Sequence, residues 1–491
     1  MQLNHAASFN DRPVSDILIL PFWQEGKKAE PACPTKEFHA LYALPVDKAD
    51  FKGKEAETLV LYGKQKKESR LLLLGLGKKE SCTAETLRKS YAAALKECRH
   101  KKLSHLSVAL PQTDFPAAYA VTEGLLLANY SFDQLRSDKE DSAVLVSKIC
   151  LVGIDAKTLQ ECHRAKVVVT GVNFARDLIN GNADDVTPQM LAKTAQELEK
   201  GSKSIKTTVL DKKALEKLGM GLLLAVNRAS VREPALILIQ YRGNPSSSDL
   251  TALVGKGITY DTGGLILKPK GGMETMKDDM SGGAAVLGVI KTAAALKLKV
   301  NLIGVIPSTE NSIGSNSYKP GDVYVSYSGK TVEISDTDAE GRLVLADAIS
   351  YVQTHYKPSR LIDLATLTGG VVVALGEEAT GLFSNDDKLS AALKEAGERT
   401  YERLWRLPLF TEYREALKSS IADIKNAADR KASPITGAIF IQEFVHKKTA
   451  WAHLDIAGTA YRSPRHYHTT EATGVGVRLL IDYLVHCEKA I

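Results

Sequence analysis

Short apolar runs alternate with helix-period stretches along the first 150 residues. Residues 16–20 and 69–76, the second broken at Gly75, read as buried strands, and the pattern over 86–98 reads as a helix. Strands alternating with helices predict a small N-terminal α/β domain, placed at residues 1–154. It holds no cluster of acids, histidines or glycines that suggests chemistry, so its expected role is assembly or regulation. Residues 155–178 keep a helical pattern with few breakers, stopped by Asn180-Gly181-Asn182 and then Pro188, and are expected to form a connecting helix. Beyond it, residues 235–239, 251–254, 300–306 and 361–364 are compact β-rich runs, several separated by helical stretches such as 284–298 and 343–355. This predicts a larger C-terminal α/β domain over 179–491, with a mostly parallel central sheet covered on both faces.

Composition adds little to that picture and removes some alternatives. At 491 residues the chain exceeds what one core usually organises. A hydrophobic share of 44% with 25% charged residues is that of a soluble globular protein. The net charge of +6 is mild and no short window concentrates it, so it does not argue for nucleic acid. Lys64-Gln65-Lys66-Lys67 and Arg99-His100-Lys101-Lys102 read as solvated surface. The six cysteines are scattered without a CxxC pair, which reads as free thiols in a reducing compartment. With no basic-then-apolar leader and no run of about 20 apolar residues, neither a signal peptide nor a membrane span is visible, and a cytoplasmic location is expected.

Ligands of open α/β sheets sit beyond the carboxyl ends of strands. After 251–254 come Gly255-Lys256-Gly257, Asp261-Thr262-Gly263-Gly264 and Lys268, followed by Lys277-Asp278-Asp279 and by Ser281-Gly282-Gly283 opening a helix. After a strand expected at 331–335 comes Asp336-Thr337-Asp338-Ala339-Glu340-Gly341-Arg342. Carboxylates so crowded repel one another unless a cation holds them. No histidine lies between His163 and His355, which leaves no histidine zinc site and no Ser-His-Asp triad in this stretch. Hard oxygen ligands suit Mg, Mn or carboxylate-bound Zn, and more anionic oxygens than one ion needs favour two divalent ions. Taken singly, Asp-Thr-Asp-Ala-Glu is a turn before a helix N-terminus, Gly263-Gly264 a turn, and Lys256 or Lys268 a surface lysine. Taken together, on successive strand ends of one sheet, they point to chemistry.

The stretch from Val254 to Gly264, with Lys268 and Lys277-Asp278-Asp279-Met280 behind it, resembles the first signature of the cytosolic leucyl aminopeptidase family. Thr337-Asp338-Ala339-Glu340-Gly341-Arg342-Leu343 resembles its most characteristic motif. Asp363-Leu364-Ala365-Thr366-Leu367-Thr368-Gly369 and Trp451-Ala452-His453-Leu454-Asp455-Ile456-Ala457-Gly458 are further echoes, and the similarity is detailed over roughly residues 165–480. The resemblance implies a two-metal exopeptidase that removes apolar, leucine-like N-terminal residues from peptides. It implies that Asp261 and Glu340 bridge two divalent ions, Mn²⁺ or Zn²⁺, that Lys256 and Asp279 complete one shell, and that Asp338 completes the other. Lys268 and Arg342 would be the catalytic groups outside the ligand set, the second holding a bicarbonate that shuttles the proton. Met276, Thr366 and Gly369 match the family's first-residue pocket, and a homohexamer is implied. A lysine ligates only as the neutral amine, so Lys256 needs a depressed pKa, expected from cations and burial.

One departure stands out: Asp336 replaces the family's usual Asn, adding an acid that bears on hydrogen bonding and metal preference. Two rival readings use the same residues. Bridging carboxylates also serve a dinuclear metal phosphoesterase, against which stand Lys256 as a ligand and the lack of an arginine cluster. A DNA-binding regulatory role is neither supported nor excluded by the charge.

Overall fold

The structure is a computed structural model that describes residues 1–63, 66–138 and 144–490; Lys64 and Gln65 of the first basic cluster lie outside them. The chain forms two compact units, Met1–Thr170 with Ser463–Glu471, and Gly171–Arg462 with Ala472–Ile491. The boundary falls inside a single helix, Ala156–Asn180, which covers the expected connecting segment. That a nine-residue stretch near the C-terminus belongs to the first unit is invisible to a contiguous reading of the pattern.

In the first unit the described residues form a seven-stranded sheet. Its spine, in the order Gln2–Ala6, Lys148–Val152, His105–Ala109, Ile17–Glu25 and Arg70–Gly75, is parallel throughout. Thr58–Tyr62 and Lys28–Pro31 add antiparallel edges. The helix Ala84–His100 starts where Thr83 and Thr86 cap each other reciprocally, satisfying two backbone donors that would otherwise be orphaned.

In the second unit nine strands of described residues make the central sheet. Ala450–Asp455, Arg360–Ala365, Thr251–Gly255 and Asn301–Asn311 run parallel in that order, with Gly257–Asp261 continuing alongside the last. Antiparallel pairing enters outside this block, at Ala235–Arg242 on one side and Thr380–Ser384 on the other. Both faces are covered, and the alternation of side chains shows it. Ile303 and Val305 enter a core shared with Leu343, Leu345 and Val352 of the helix Glu340–Tyr356. Gly304, between them, faces Val286 and Ile290 of the helix Ser281–Leu296.

One expectation is corrected. The strand before Asp336 is only Thr331–Glu333, and it belongs to a separate three-stranded sheet with Val323–Val325 and Ile424–Lys425. The two acid-bearing segments therefore do not ride on strand ends of one sheet. The run is too short to cross that sheet, and it is held instead by Val332 and Ile334, both fully buried in the shared core.

The helix Glu340–Tyr356 also anchors its surroundings through a buried acid. Asp347 is fully buried, with Oδ2 accepting from Leu222 N and Leu223 N, both at 3.0 Å, and Oδ1 accepting from Tyr327 N at 2.8 Å. Asp347→Ala would strand these donors, each at a cost of roughly 1–3 kcal/mol. A urea midpoint shift equivalent to about 3 kcal/mol or more is expected, and an unchanged midpoint would show that other groups satisfy them.

Candidate metal centre

Lys256 stands between the strands Thr251–Gly255 and Gly257–Asp261, its backbone N donating to the Leu364 carbonyl at 3.0 Å. Its Nζ lies 2.8 Å from Asp279 Oδ1 and 2.7 Å from Glu340 Oε1, and donates to the Thr366 carbonyl at 3.0 Å. Gly341 makes this approach feasible, since a Cβ there would stand 2.5 Å from Lys256 Cε. Five residues on, Asp261 closes the second strand. Gly263 and Gly264 then take φ values of 85° and 66°, a turn closed to L side chains at little cost, and Lys268 N returns to the Thr262 carbonyl at 3.0 Å. The turn brings Lys268 Nζ to 2.7 Å from Asp261 Oδ2 and 2.6 Å from Asp338 Oδ1.

Lys256, Asp261, Lys268, Asp279, Asp338 and Glu340 are thus gathered into one cluster. Asp261, Asp279, Glu340 and Lys256 are buried, whereas the Asp338 side chain is 35% exposed and opens the cluster to solvent. Asp261, Asp338 and Glu340 each offer an oxygen, and the three atoms lie within 4.8 Å of one another. Asp279 Oδ2 and Glu340 Oε2 are buried with no hydrogen-bond partner among the described residues, and Asp338 Oδ1 meets Lys268 without hydrogen-bond geometry. Buried acceptors without donors are costly alone and are what a divalent cation requires, so the residues fit the metal the family implies.

The electrostatics agree. Burial, and after it Glu340, push the Asp261 carboxyl above its ordinary range; Asp279 stands well above it for the same reasons, burial first. Burial with Glu340 and Asp261 pushes Asp338 up to about 7. Glu340 alone of the four is lowered: burial works against it, but Lys256 and Lys268 prevail. The depression expected of Lys256 rests on the cations as well as on burial, and the acids alone act the other way. Burial disfavours its ammonium, yet Asp279, Glu340 and Asp261 outweigh burial and raise it. Shedding that proton takes competing cations and not burial alone.

Arg342 is placed beside the cluster and not within it. Its guanidinium is buried, donates to the Asn426 carbonyl at 2.8 Å, and packs near Gly437 and Leu367, while its Nε has no partner among the described residues. Thr366 touches the acids directly, donating to Asp279 Oδ1 at 2.7 Å. Gly369 opens the helix Gly369–Leu375 with free space where a side chain would stand, and Met276 begins a short turn that ends beside Asp279. Asp336 Oδ1 accepts from Asp338 N at 2.8 Å, a bond an Asn carbonyl would make equally.

Three residues absent from the sequence reading hydrogen-bond to the acids or to the backbone of the acid-bearing segments. Asn311 donates to Asp261 Oδ1 at 2.8 Å, Asn426 accepts from Ser335 N and donates to the Asp336 carbonyl, and Tyr318 donates to the Thr337 carbonyl at 2.6 Å. A buried polar residue closing an apolar strand, as Asn311 does, was the one signal available. The two late motifs also meet. Asp363 takes Trp451 Nε1 at 2.7 Å and lies 2.6 Å from His453 Nδ1, while Asp455 accepts from Leu367 N and Thr368 Oγ1 and so fixes the loop carrying Thr366.

Fold and cluster together define a metal-dependent hydrolase. The cytosol aminopeptidase family's catalytic-domain model matches residues 173–481 and its N-terminal-domain model residues 19–139. The probable cytosol aminopeptidase of Protochlamydia amoebophila is 52% identical over 480 residues, 96% of each chain, and that of Chlamydia felis 45% identical over 497 residues, 99% of each. Among solved structures, a mutant of tomato leucine aminopeptidase superposes with a TM-score of 0.88 at 29% identity, over 99% of this chain and 96% of that one. The bottromycin maturation enzyme BotP in complex with Mn gives 0.86 at 30% identity, over 97% and 100%. The chain belongs to the cytosol aminopeptidase family and is a metallo-aminopeptidase. Neither the phosphoesterase nor the DNA-binding reading draws support from these relatives. Among the described residues no helix is long and apolar enough to cross a membrane.

Proposed function

We propose that this enzyme removes apolar, leucine-like N-terminal residues from peptides, with two divalent ions, Mn²⁺ or Zn²⁺, held by Lys256, Asp261, Asp279, Asp338 and Glu340. The observation that carries the reading is the convergence of four carboxylates and two lysines, with donor-free oxygens buried among them. When bound, such ions supply the Lewis acidity that activates water and polarises the scissile carbonyl.

The chain's own groups do the rest. Lys268, a cation among the acids at the more open side of the cluster, stabilises negative charge developing on the substrate's carbonyl oxygen. Arg342, buried with an unused Nε, offers a planar fork for a carboxylate-like anion such as bicarbonate, which would carry the proton. Thr366, Gly369 and Met276 line the pocket for the first residue, where the open space at Gly369 admits a branched apolar side chain. Residues 1–154 would serve assembly into a homohexamer, residues 155–178 connect, and residues 179–491 carry the reaction. Free cysteines throughout fit work in the reducing cytoplasm.

A substrate whose free α-amine is read by a cation is lost when that amine is blocked. Leucine p-nitroanilide is expected to be hydrolysed, and N-acetyl-leucine p-nitroanilide and p-nitrophenyl phosphate to be left intact. Comparable hydrolysis of the acetylated amide would refute the exopeptidase site described here.

A further inference from the structure

We propose that Asn311 is a positioning residue of the metal centre: its amide decides which oxygen of Asp261 faces the cation and ties that carboxylate to the Asp336–Glu340 loop. The proposal rests on the reading of Asp261 as a metal ligand.

Asn311 ends the strand Asn301–Asn311 and is fully buried. Its Nδ2 donates to Asp261 Oδ1 at 2.8 Å and to the Thr337 carbonyl at 3.0 Å, one hydrogen to each. Both partners are acceptors only when Asp261 is ionised, so the amide can point just one way. Gly263 N also donates to Asp261 Oδ1, at 2.9 Å. With two donors on Oδ1, the other oxygen is the one left facing Lys268 and the cluster.

This meeting depends on an irregularity of the sheet. Gly257 pairs with Ser308 and Ile258 with Thr309, a register that, continued, would set Asp261 across from Ser312. A register shift between Ile258 and Asp261 puts it opposite Asn311 instead. Bulges of this kind re-aim side chains beside active sites. The same amide then reaches Thr337, which stands between Asp336 and Asp338 and whose hydroxyl donates to the Gly263 carbonyl at 2.6 Å. The two acid-bearing segments, which share no sheet, are joined here.

The other end of the amide argues against a purely structural role. Asn311 Oδ1 is buried without a partner among the described residues, facing the place where Gly264 has no side chain. A residue serving only to fill the core would be satisfied at both ends or be apolar. Here the donor end is used twice while the acceptor end is left unused.

The test uses the full chain, stripped of metal and titrated with Mn²⁺ against a fluorescent chelator, with thermal unfolding of the metal-free protein as the measure of fold. Asn311→Leu keeps the branched outline with bulkier ends and removes the donor, and Asn311→Ser, smaller than the native residue, removes it without crowding. Tyr318→Phe removes the other donor to the Thr337 carbonyl and leaves Asn311 on Asp261 untouched. Partners that orient metal ligands are typically worth 10–100-fold in affinity, so the Asn311 variants are expected to bind Mn²⁺ about 10–100-fold more weakly, and Tyr318→Phe within about threefold of wild type. Mn²⁺ affinity unchanged in folded Asn311 variants would overturn the proposal, as would an equal loss in Tyr318→Phe, since the carbonyl and not Asp261 would then matter. Wild-type protein that takes up no Mn²⁺ would overturn the ligand reading of Asp261 itself, and this proposal with it.

Discussion

Exhaustive removal of metal is expected to abolish peptide cleavage, and Mn²⁺ or Zn²⁺ to restore it. The cluster's lysines are held protonated by the surrounding acids, Lys256 by Asp279, Glu340 and Asp261 against the effect of burial, so neither offers a base for water. Its carboxyls, raised in Asp261, Asp279 and Asp338, report like charges crowded in a buried space. Ligand substitutions should reproduce the loss with a definite order. Asp261→Ala and Glu340→Ala are expected to cost more metal than Asp338→Ala, because in the proposed arrangement Asp261 and Glu340 would bridge both ions and Asp338 would serve one. Elemental analysis of purified variants checks this directly. Full activity in stripped protein would end the metal mechanism, and unchanged two-ion occupancy in both bridging variants would move the site elsewhere.

Lys268→Ala and Arg342→Ala should each keep two metals and the fold while kcat falls steeply. Lys268 arrives from a turn outside the strands, and its ammonium touches two acids from different segments, so it can shift towards charge that develops on substrate. Arg342 forms no ion pair with the ligands and rests on the Asn426 carbonyl, which leaves its remaining donors for an anion. A donor that strengthens only as charge develops lowers kcat and kcat/KM together. Losing one such donor costs on the order of 10²–10³ in rate, about 3–4 kcal/mol. The arginine variant should in addition lose most of its response to added bicarbonate. Near wild-type kcat in either variant, or loss of its metals, would show the assigned roles to be wrong while leaving the family unaffected.

Much of this molecule can be read without coordinates. Strand and helix follow from periodicity, which is a local property, and so the α/β class and the mostly parallel sheet are visible in runs such as 251–254 and 300–306. The acids are visible for the same reason. Asp261 directly ends a strand, Asp338 lies just before a helix and Glu340 opens it, so short contiguous patterns carry them.

What the pattern could not supply is who meets whom across long separations. Lys256 donates to Thr366, 110 positions away, and Asn311 reaches Asp261 across 50 only because a register shift replaces Ser312 with Asn311. A one-residue slip over a whole strand would turn its side chains to the other face, but this shift is confined to the end of Gly257–Asp261, too few residues for the alternation to reveal it. The separate small sheet under Asp336 escaped for a related reason: the residues 331–335 look like any short strand, and only the packing of Val332 and Ile334 decides which sheet they join. The sign of the Lys256 shift likewise depends on three acids brought together by folding, since burial alone predicts the opposite. Element type and the acids of the cluster were written locally along the chain; register, charge balance and the hydrogen bonds that aim each acid exist only once distant segments are packed.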